Sequence, residues 1–472
     1  MDVVTQMKKF MEPESVALIG VSRQTGGNTF NILGELLKCD YQGKIYPINP
    51  NTSEILGVKA YPSMRAVAEE IDLAVVNLPR SLVPGAVEEC TAKGIPAIII
   101  VTQGFADASD EEGKQLGKEL DELIRKSGVR ILGPNSIGTA NAFTNFSSSF
   151  GGTEMGKFPA GLICQTGFFF GGGYGFRPWG KILDLGNNCD VDFADGLEYF
   201  EQDAETKVIA LHIEGVRNIK RFLEVARRVT QKKPIVALKT GRSDLAAKAA
   251  QSHTGSVVGK AEMWDVALKQ SGITSVSDLD ELNDMVEVFT LLPLMKGRGI
   301  GIATGSGGLG VISIDACKRF GLELANPPTR LVKQISAMSP PWLNVGNPVD
   351  FWPSVMVLKQ PPYKVIEITL RGLLSDPGVD AALLVWAGVN TLANCAELCK
   401  VLEKLIQNYP DKPLIPCVYG CFAEELKNTL RKADKTAAFS IPDRAIRALG
   451  HLADYSEFRA VIPPELSWHQ QL

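Results

Sequence analysis

The segment Gln251-Ser252-His253-Thr254-Gly255-Ser256 sets an imidazole among small hydroxyl residues, a setting that suits phosphoryl chemistry. One ring nitrogen can attack phosphorus when the other is held by an acceptor, so a carboxylate must reach the same place. Glu214 is the candidate, because it directly follows the apolar run Val208-Ile209-Ala210-Leu211-His212-Ile213 at the carboxyl end of an expected strand. Lys239 and Arg242, in Leu238-Lys239-Thr240-Gly241-Arg242-Ser243, are placed to add positive charge. His253 is one of four histidines, and taken alone it reads as an ordinary loop residue. His212, within the strand itself, reads as packed or hydrogen-bonded.

Two further stretches end a strand in small residues before an expected helix. They are Leu162-Ile163-Cys164-Gln165-Thr166-Gly167 and Ile302-Ala303-Thr304-Gly305-Ser306-Gly307-Gly308. Free N–H groups at the positive end of a helix dipole bind phosphate, which makes Gln165, Thr166, Gly167, Gly307 and Gly308 candidate phosphate ligands. Similar glycine turns occur in inert domains, so the weight rests on there being two of them.

The elements that must carry these loops form three α/β segments, expected at residues 1–150, 151–296 and 297–472. In the first, Val16–Gly20, Ile45–Ile48, Leu73–Leu78, Ala97–Val101 and Arg130–Leu132 read as buried parallel strands, separated by helix-length stretches. Alternating strand and helix implies a doubly wound sheet with its ligand at the carboxyl ends of the strands. Those ends carry Gly20, Ser22 and Arg23, Asn49 and Pro50, Leu78 and Pro79, Thr102, Gln103 and Gly104, and Asn135. A dinucleotide is disfavoured: the first turn lacks G-x-G-x-x-G, and Ile48-Asn49-Pro50 stands where a ribose-binding acid belongs. A Ser/Phe/Gly-rich connector at 145–152 leads to the second segment, with strands at Gly161–Cys164, Lys181–Leu185, Val208–Ile213 and Pro234–Lys239. The third has strands at Gly299–Thr304, Ala381–Trp386 and Pro413–Val418, helices at Val311–Phe320 and Asp443–Phe458, and a Pro-rich middle.

Composition excludes several classes of protein. Apolar residues make up 45% and charged residues 22%, and 49 Lys+Arg nearly balance 53 Asp+Glu, so no strong field favours nucleic acid or an anionic membrane. Met1 to Met11 reads as neither signal peptide nor anchor, and no apolar run approaches the ~20 residues of a membrane span. Nine cysteines without a periodic framework fit a reducing compartment, hence the cytoplasm. The pairs Cys395/Cys399 and Cys417/Cys421 read as buried thiols, and no metal site is expected.

With these residues in hand, the chain resembles the alpha subunit of the ADP-forming (NDP-forming) acyl-CoA synthetases, relatives of the succinyl-CoA synthetase alpha subunit. The resemblance is carried by Ser252-His253-Thr254-Gly255, Ile213-Glu214-Gly215-Val216-Arg217, Leu185-Gly186-Asn187 with Asp190-Val191-Asp192, Gly133-Pro134-Asn135, and Asn347-Pro348-Val349-Asp350. It implies a Rossmann-like CoA-binding domain followed by two flavodoxin-like, doubly wound domains. It also implies that Gly20, Ser22, Arg23, Gln24, Thr25, Asn49, Pro50, Leu78, Pro79, Thr102, Gln103, Gly104 and Asn135 hold CoA. In such enzymes phosphate attacks an acyl-CoA, the acyl phosphate passes its phosphoryl group to the histidine, and ADP receives it. A carboxylic acid and CoA are released. His253 would carry the phosphate, with Glu214 orienting it. No segment remains for an ATP-grasp domain, so ADP/ATP and Mg²⁺ would be bound mainly by a beta subunit, in an α2β2 assembly. A non-catalytic CoA or acyl-CoA sensor on the same fold is the alternative. Gln165-Thr166-Gly167 replaces the usual Gln-Ser-Gly, and Ser136 replaces a common Cys. Phe168-Phe169-Phe170-Gly171-Gly172-Gly173 departs from the usual helix where acyl specificity could be set, leaving room for an aryl or larger acyl group, or for three core Phe.

Overall fold

A computed structural model of the chain describes residues 2–21, 31–171, 177–243, 245–246, 261–359 and 361–461. It divides into two units, Met1–Leu282 and Asn283–Leu472, the first holding two large sheets and the second one.

The first sheet consists of β1 (Ser15–Ile19), β2 (Lys44–Ile48), β3 (Leu73–Val76), β4 (Ala97–Ile100) and β5 (Arg130–Leu132). All are parallel, in the order β2-β1-β3-β4-β5. Val16, Leu18, Leu73, Val75 and Ile99 face one core, while Ala17, Ile19, Ala74, Val76 and Ile98 face the other. Burial on both faces is why these strands read as unbroken apolar runs.

The second sheet consists of β6 (Thr139–Asn141), β7 (Phe146–Ser147), β8 (Ala160–Cys164), β9 (Lys181–Asp184), β10 (Val208–Ile213), β11 (Ile235–Lys239) and β12 (Thr274–Val276). Its order is β12-β11-β10-β8-β9-β6-β7, with β6 antiparallel to β9 and β8 to β12 parallel. The chain thus changes sheet between β5 and β6, ahead of the stretch at 145–152 expected to connect the first two segments. Strands of three and two residues are too short for periodicity to reveal.

The two sheets share a core. The helix Val3–Met11 buries Met7, Phe10 and Met11 in the same cluster as Phe193, Leu197 and Phe200 of the helix Phe193–Gln202. Thr139 and Asn141 donate from their side chains to the carbonyls of Phe10 (2.7 Å) and Met11 (3.1 Å). Arg130, on β5, donates to Asp190 at 2.9 Å and to Asp195 at 2.6 Å, and Arg221 reaches Asp195 from the other side at 2.7 Å. Asp192 and Asp195 also form the capping box that starts the helix Phe193–Gln202.

In the second unit β13 (Gly299–Thr304), β14 (Glu323–Leu324), β15 (Val349–Asp350), β16 (Ala381–Trp386) and β17 (Leu414–Val418) form a parallel sheet. Its order is β14-β13-β16-β17, with β15 paired to β13. The helix after β13 spans Gly307–Arg319, starting ahead of the expected Val311, and the last described helix is Pro442–Val461. Cys395 and Cys399 are buried on the inner side of the helix Leu392–Asn408. Among the described residues no group of His, Cys, Asp and Glu is placed to hold a metal, and no helix is long and apolar enough to cross a membrane.

One regularity links the three sheets. Counting each sheet's main parallel strands along the chain, the order is second, first, third, fourth, so each has a switch point between its first and third strands, where loops diverge and open a crevice. The switch points lie at β1/β3, β8/β10 and β13/β16.

Candidate active site

Gln165 follows β8 and Glu214 follows β10, so the two meet at the switch point of the second sheet. Gln165 is 3% exposed, and its Oε1 accepts from the backbone N–H groups of Glu214 (2.8 Å) and Gly215 (3.0 Å). Two backbone donors settle which end of this amide is the oxygen, so Nε2 faces the opposite way. Thr166 caps the next turn, its Oγ1 accepting from Phe168 N at 3.4 Å. In place of the expected helix, Gly167–Phe170 forms a single 3₁₀ turn. Phe169 and Phe170 are core residues, 4% and 2% exposed, while Phe168 keeps 36% of its surface exposed. Phe169 packs edge-on to Trp179, ring centroids 6.3 Å apart, and tilts against His212 at 5.6 Å. Burial lowers the pKa of His212 to about 4, with the Lys239 charge acting in the same direction.

Two loops cross beside this clasp. Gly133-Pro134-Asn135-Ser136, leaving the first sheet, runs against Leu185-Gly186-Asn187-Asn188, leaving β9. Asn187 N donates to Pro134 O at 2.8 Å, Cys189 N to Gly133 O at 3.0 Å, and Asn135 Nδ2 to Asn187 Oδ1 at 3.3 Å. Gly186 has φ +53°, and a Cβ there would lie 2.4 Å from Pro134 O, so the close approach needs glycine. Asp184 pins the crossing: its two carboxylate oxygens accept from Ile137 N at 2.7 Å and Gly186 N at 3.2 Å, and it is 1% exposed. Burial raises its pKa to about 7, reinforced by the charge of Glu214. Asp184 escapes sequence reasoning, because an acid closing an apolar strand looks like a surface residue. The adjoining Leu185-Gly186-Asn187 was the available signal.

Four of the residues expected to hold CoA form a row along the carboxyl ends of β1, β3, β4 and β5. Gly20 has φ +85°, with its Cβ position 2.1 Å from Asn77 O and 2.9 Å from Leu78. Thr102 Oγ1 donates to Leu78 O at 2.6 Å, and Asn135 N donates to Thr102 O at 3.0 Å. Pro79 enters the turn Arg80–Leu82, Gln103 is exposed, and Gly104 O accepts from Arg80 at 3.3 Å. Asn49 and Pro50 follow β2, on the far side of β1, where Asn49 Oδ1 accepts from Asn51 N at 2.9 Å. Ser22, Arg23, Gln24, Thr25 and His253 lie outside the described residues.

The two cations expected to serve His253 already have partners. Lys239 is 2% exposed and donates to Glu214 O at 3.0 Å and to Thr240 O. Burial, with the Arg242 charge, lowers its pKa to about 8. Arg242 is paired with Asp265 at 2.6 Å. Lys239 therefore holds the backbone at Glu214, which is a positioning task. In the second unit Gly307 and Gly308 form the exposed first turn of the helix Gly307–Arg319, and the Ser306 side chain accepts from Leu309 N at 3.5 Å.

A rim of small residues on the first sheet, joined by crossing loops to a Gln–Glu clasp on the second, is the arrangement of a doubly wound α/β protein with its ligand site at the carboxyl ends of the strands. Residues 14–142 match the CoA binding domain family, 173–289 the succinyl-CoA ligase like flavodoxin domain, and 300–448 the ligase-CoA domain. The chain is 36% identical to the acetate–CoA ligase [ADP-forming] II subunit alpha of Pyrococcus furiosus, covering 90% of this chain and 92% of that one. It is 34% identical to acetate–CoA ligase [ADP-forming] II of Archaeoglobus fulgidus, over 97% of this chain but 68% of that longer protein. Among solved structures, the dinucleotide forming acetyl-coenzyme A synthetase 1 of Ca. Korarchaeum cryptofilum, in complex with phosphate and ADP, superposes with a TM-score of 0.83 at 28% identity. That match covers 96% of this chain and 97% of that one. The chain belongs to the family of ADP-forming acyl-CoA synthetases, in its alpha-subunit part.

Proposed function

We propose that the chain is the alpha subunit of an NDP-forming acyl-CoA synthetase, interconverting acyl-CoA, phosphate and ADP with a carboxylic acid, CoA and ATP. The observation that carries this reading is the Gln165–Glu214 clasp at a switch point, tied through Asn135 and Asn187 to the rim proposed for CoA. Gly20, Leu78, Thr102 and Asn135 would line the path of CoA, and Gln165, Thr166, Gly167, Gly307 and Gly308 would hold phosphate oxygens. The carboxylate of Glu214 would fix one nitrogen of His253, leaving the other to take the phosphoryl group from the acyl phosphate. Phosphoryl transfer draws mainly on positioning and charge neutralisation, which rigid loops supply. The ATP-grasp beta subunit would bind ADP and Mg²⁺, which neutralises nucleotide charge, in an α2β2 assembly. Supporting this division, the chain spans nearly all of an alpha subunit but about two thirds of a longer relative. Nine free cysteines favour the cytoplasm.

The test is to incubate the chain with its beta subunit, Mg²⁺ and ATP labelled on the γ-phosphate. Acid-labile label on His253, absent from His253→Asn together with turnover, is the expected result. A His253→Asn protein that retains full turnover would sink the phosphohistidine mechanism, and a wild-type protein that binds CoA but shows neither label nor turnover would leave the non-catalytic sensor as the better reading.

A further inference from the structure

Four polar side-chain atoms beside the clasp are buried and have no hydrogen-bond partner among the described residues: Gln165 Nε2, Asn187 Nδ2, and both Nδ2 and Oδ1 of Asn188. Gln165 is 3% exposed and Asn188 2%. A buried amide left unpaired destabilises the fold, so a native site that holds several calls for an explanation. Packing does not provide one. Asn188 has φ +56°, which favours Asn or Gly, but glycine would satisfy that backbone without burying an amide. Asn187 has no such constraint. The Gln165 amide cannot turn over to pair Nε2, because its oxygen is engaged by Glu214 N and Gly215 N.

The three side chains sit around one crossing. Asn187 is held to Asn135 on the rim loop (3.3 Å), Asn188 O accepts from Arg217 at 3.0 Å, and Gln165 grips the start of the same 214–217 loop. We propose that Gln165, Asn187 and Asn188 form an acceptor-binding subsite that takes an oxygen of the reacting group, an inference resting on the functional reading above. Two oxygens in the reaction have this chemistry: the thioester carbonyl, which gains charge under attack, and those of phosphate itself. In that step the phosphate oxygen–carbon bond forms, the carbon–sulfur bond breaks, and the proton of HPO₄²⁻ ends on the departing CoA thiol. Asn188 Oδ1 can accept that phosphate hydroxyl while its Nδ2 donates.

The experiment compares the reconstituted wild-type enzyme with Asn188→Gly, which keeps the left-handed backbone, and with Asn187→Ala. A donor to a developing oxyanion is worth about 100-fold in kcat. A kcat loss of that size at unchanged phosphate KM places the carbonyl in the subsite, and a rise of about 10-fold or more in phosphate KM places phosphate there. In either case the melting temperature of Asn188→Gly should stay level or rise, since an unpaired amide has been removed. Kinetic constants within twofold of wild type in both variants, or activity lost only in step with stability, would overturn the subsite. An inactive wild-type enzyme would overturn the functional reading and the subsite with it.

Discussion

Asp184 illustrates how much one buried carboxyl can govern. Its pKa near 7 lies above the ordinary 3.8, so the folded state favours the protonated form. The stabilisation this brings is complete below the unfolded value and is lost as pH rises through about 7. A three-unit shift corresponds to on the order of 4 kcal/mol. Urea denaturation should therefore show stability falling between pH 4 and pH 7, and Asp184→Ser should flatten that slope. Superimposable pH profiles for the two proteins would mean that the carboxyl titrates normally. The carboxyl that accepts these two backbone N–H groups therefore changes charge within the working pH range of the protein.

Among the elements, the loops at strand ends carry the sharpest demands. Gly20→Ala would meet Asn77 O at 2.1 Å with φ at +85°, so both strain and collision push β1 and β3 apart. CoA affinity, measured by calorimetry, should fall at least about tenfold, matching the loss expected when rim contacts shift. Gly57→Ala is the control: φ is +79° with nothing within 4 Å of the added carbon. It should cost about 1 kcal/mol of stability and leave CoA binding unchanged. Equal effects of the two substitutions on CoA affinity would show that the rim tolerates the displacement.

The strands were legible because burial on both faces writes itself as unbroken Val, Ile, Leu and Ala, as in Leu73–Val76. The small residues up to Gly167 suggest a helix start, while Phe168-Phe169-Phe170-Gly171 departs from the usual helix, and the structure has a 3₁₀ turn there. Phe-Phe-Phe-Gly has poor helix propensity, and two of its rings are drawn into the core instead. The opposite holds at Gly307, where glycines hid four residues of real helix. Glu214 and Gln165 could be marked from strand ends alone, but their mutual grip could not, because it depends on which strands are neighbours. Asp184 lay deeper still, since one of its two partners, Ile137 N, comes from a loop 47 residues away in the chain.

At the scale of the molecule, the first two sheets stand or fall together. Arg130 links the end of the first sheet to Asp190 and Asp195 of the second layer, and is itself largely buried. Arg130→Met would leave Asp190 without its cation, with Arg221 remaining to serve Asp195, and should destabilise the unit by about 3 kcal/mol. Hydrogen exchange should register the loss equally at Ile98 in β4 and Ile209 in β10. Protection lost in one sheet alone would reveal two independent folding units.

The short strand Thr139–Asn141 adds a different kind of consequence. Because it leaves one sheet's territory to complete the edge of the next, there is no neutral joint at which the first two modules could be recombined. A gene broken anywhere from residue 133 to residue 147 would divide paired strands or crossing loops. This predicts how the family can diversify: the two modules must be inherited as a single piece, and shuffling between relatives has to occur outside it.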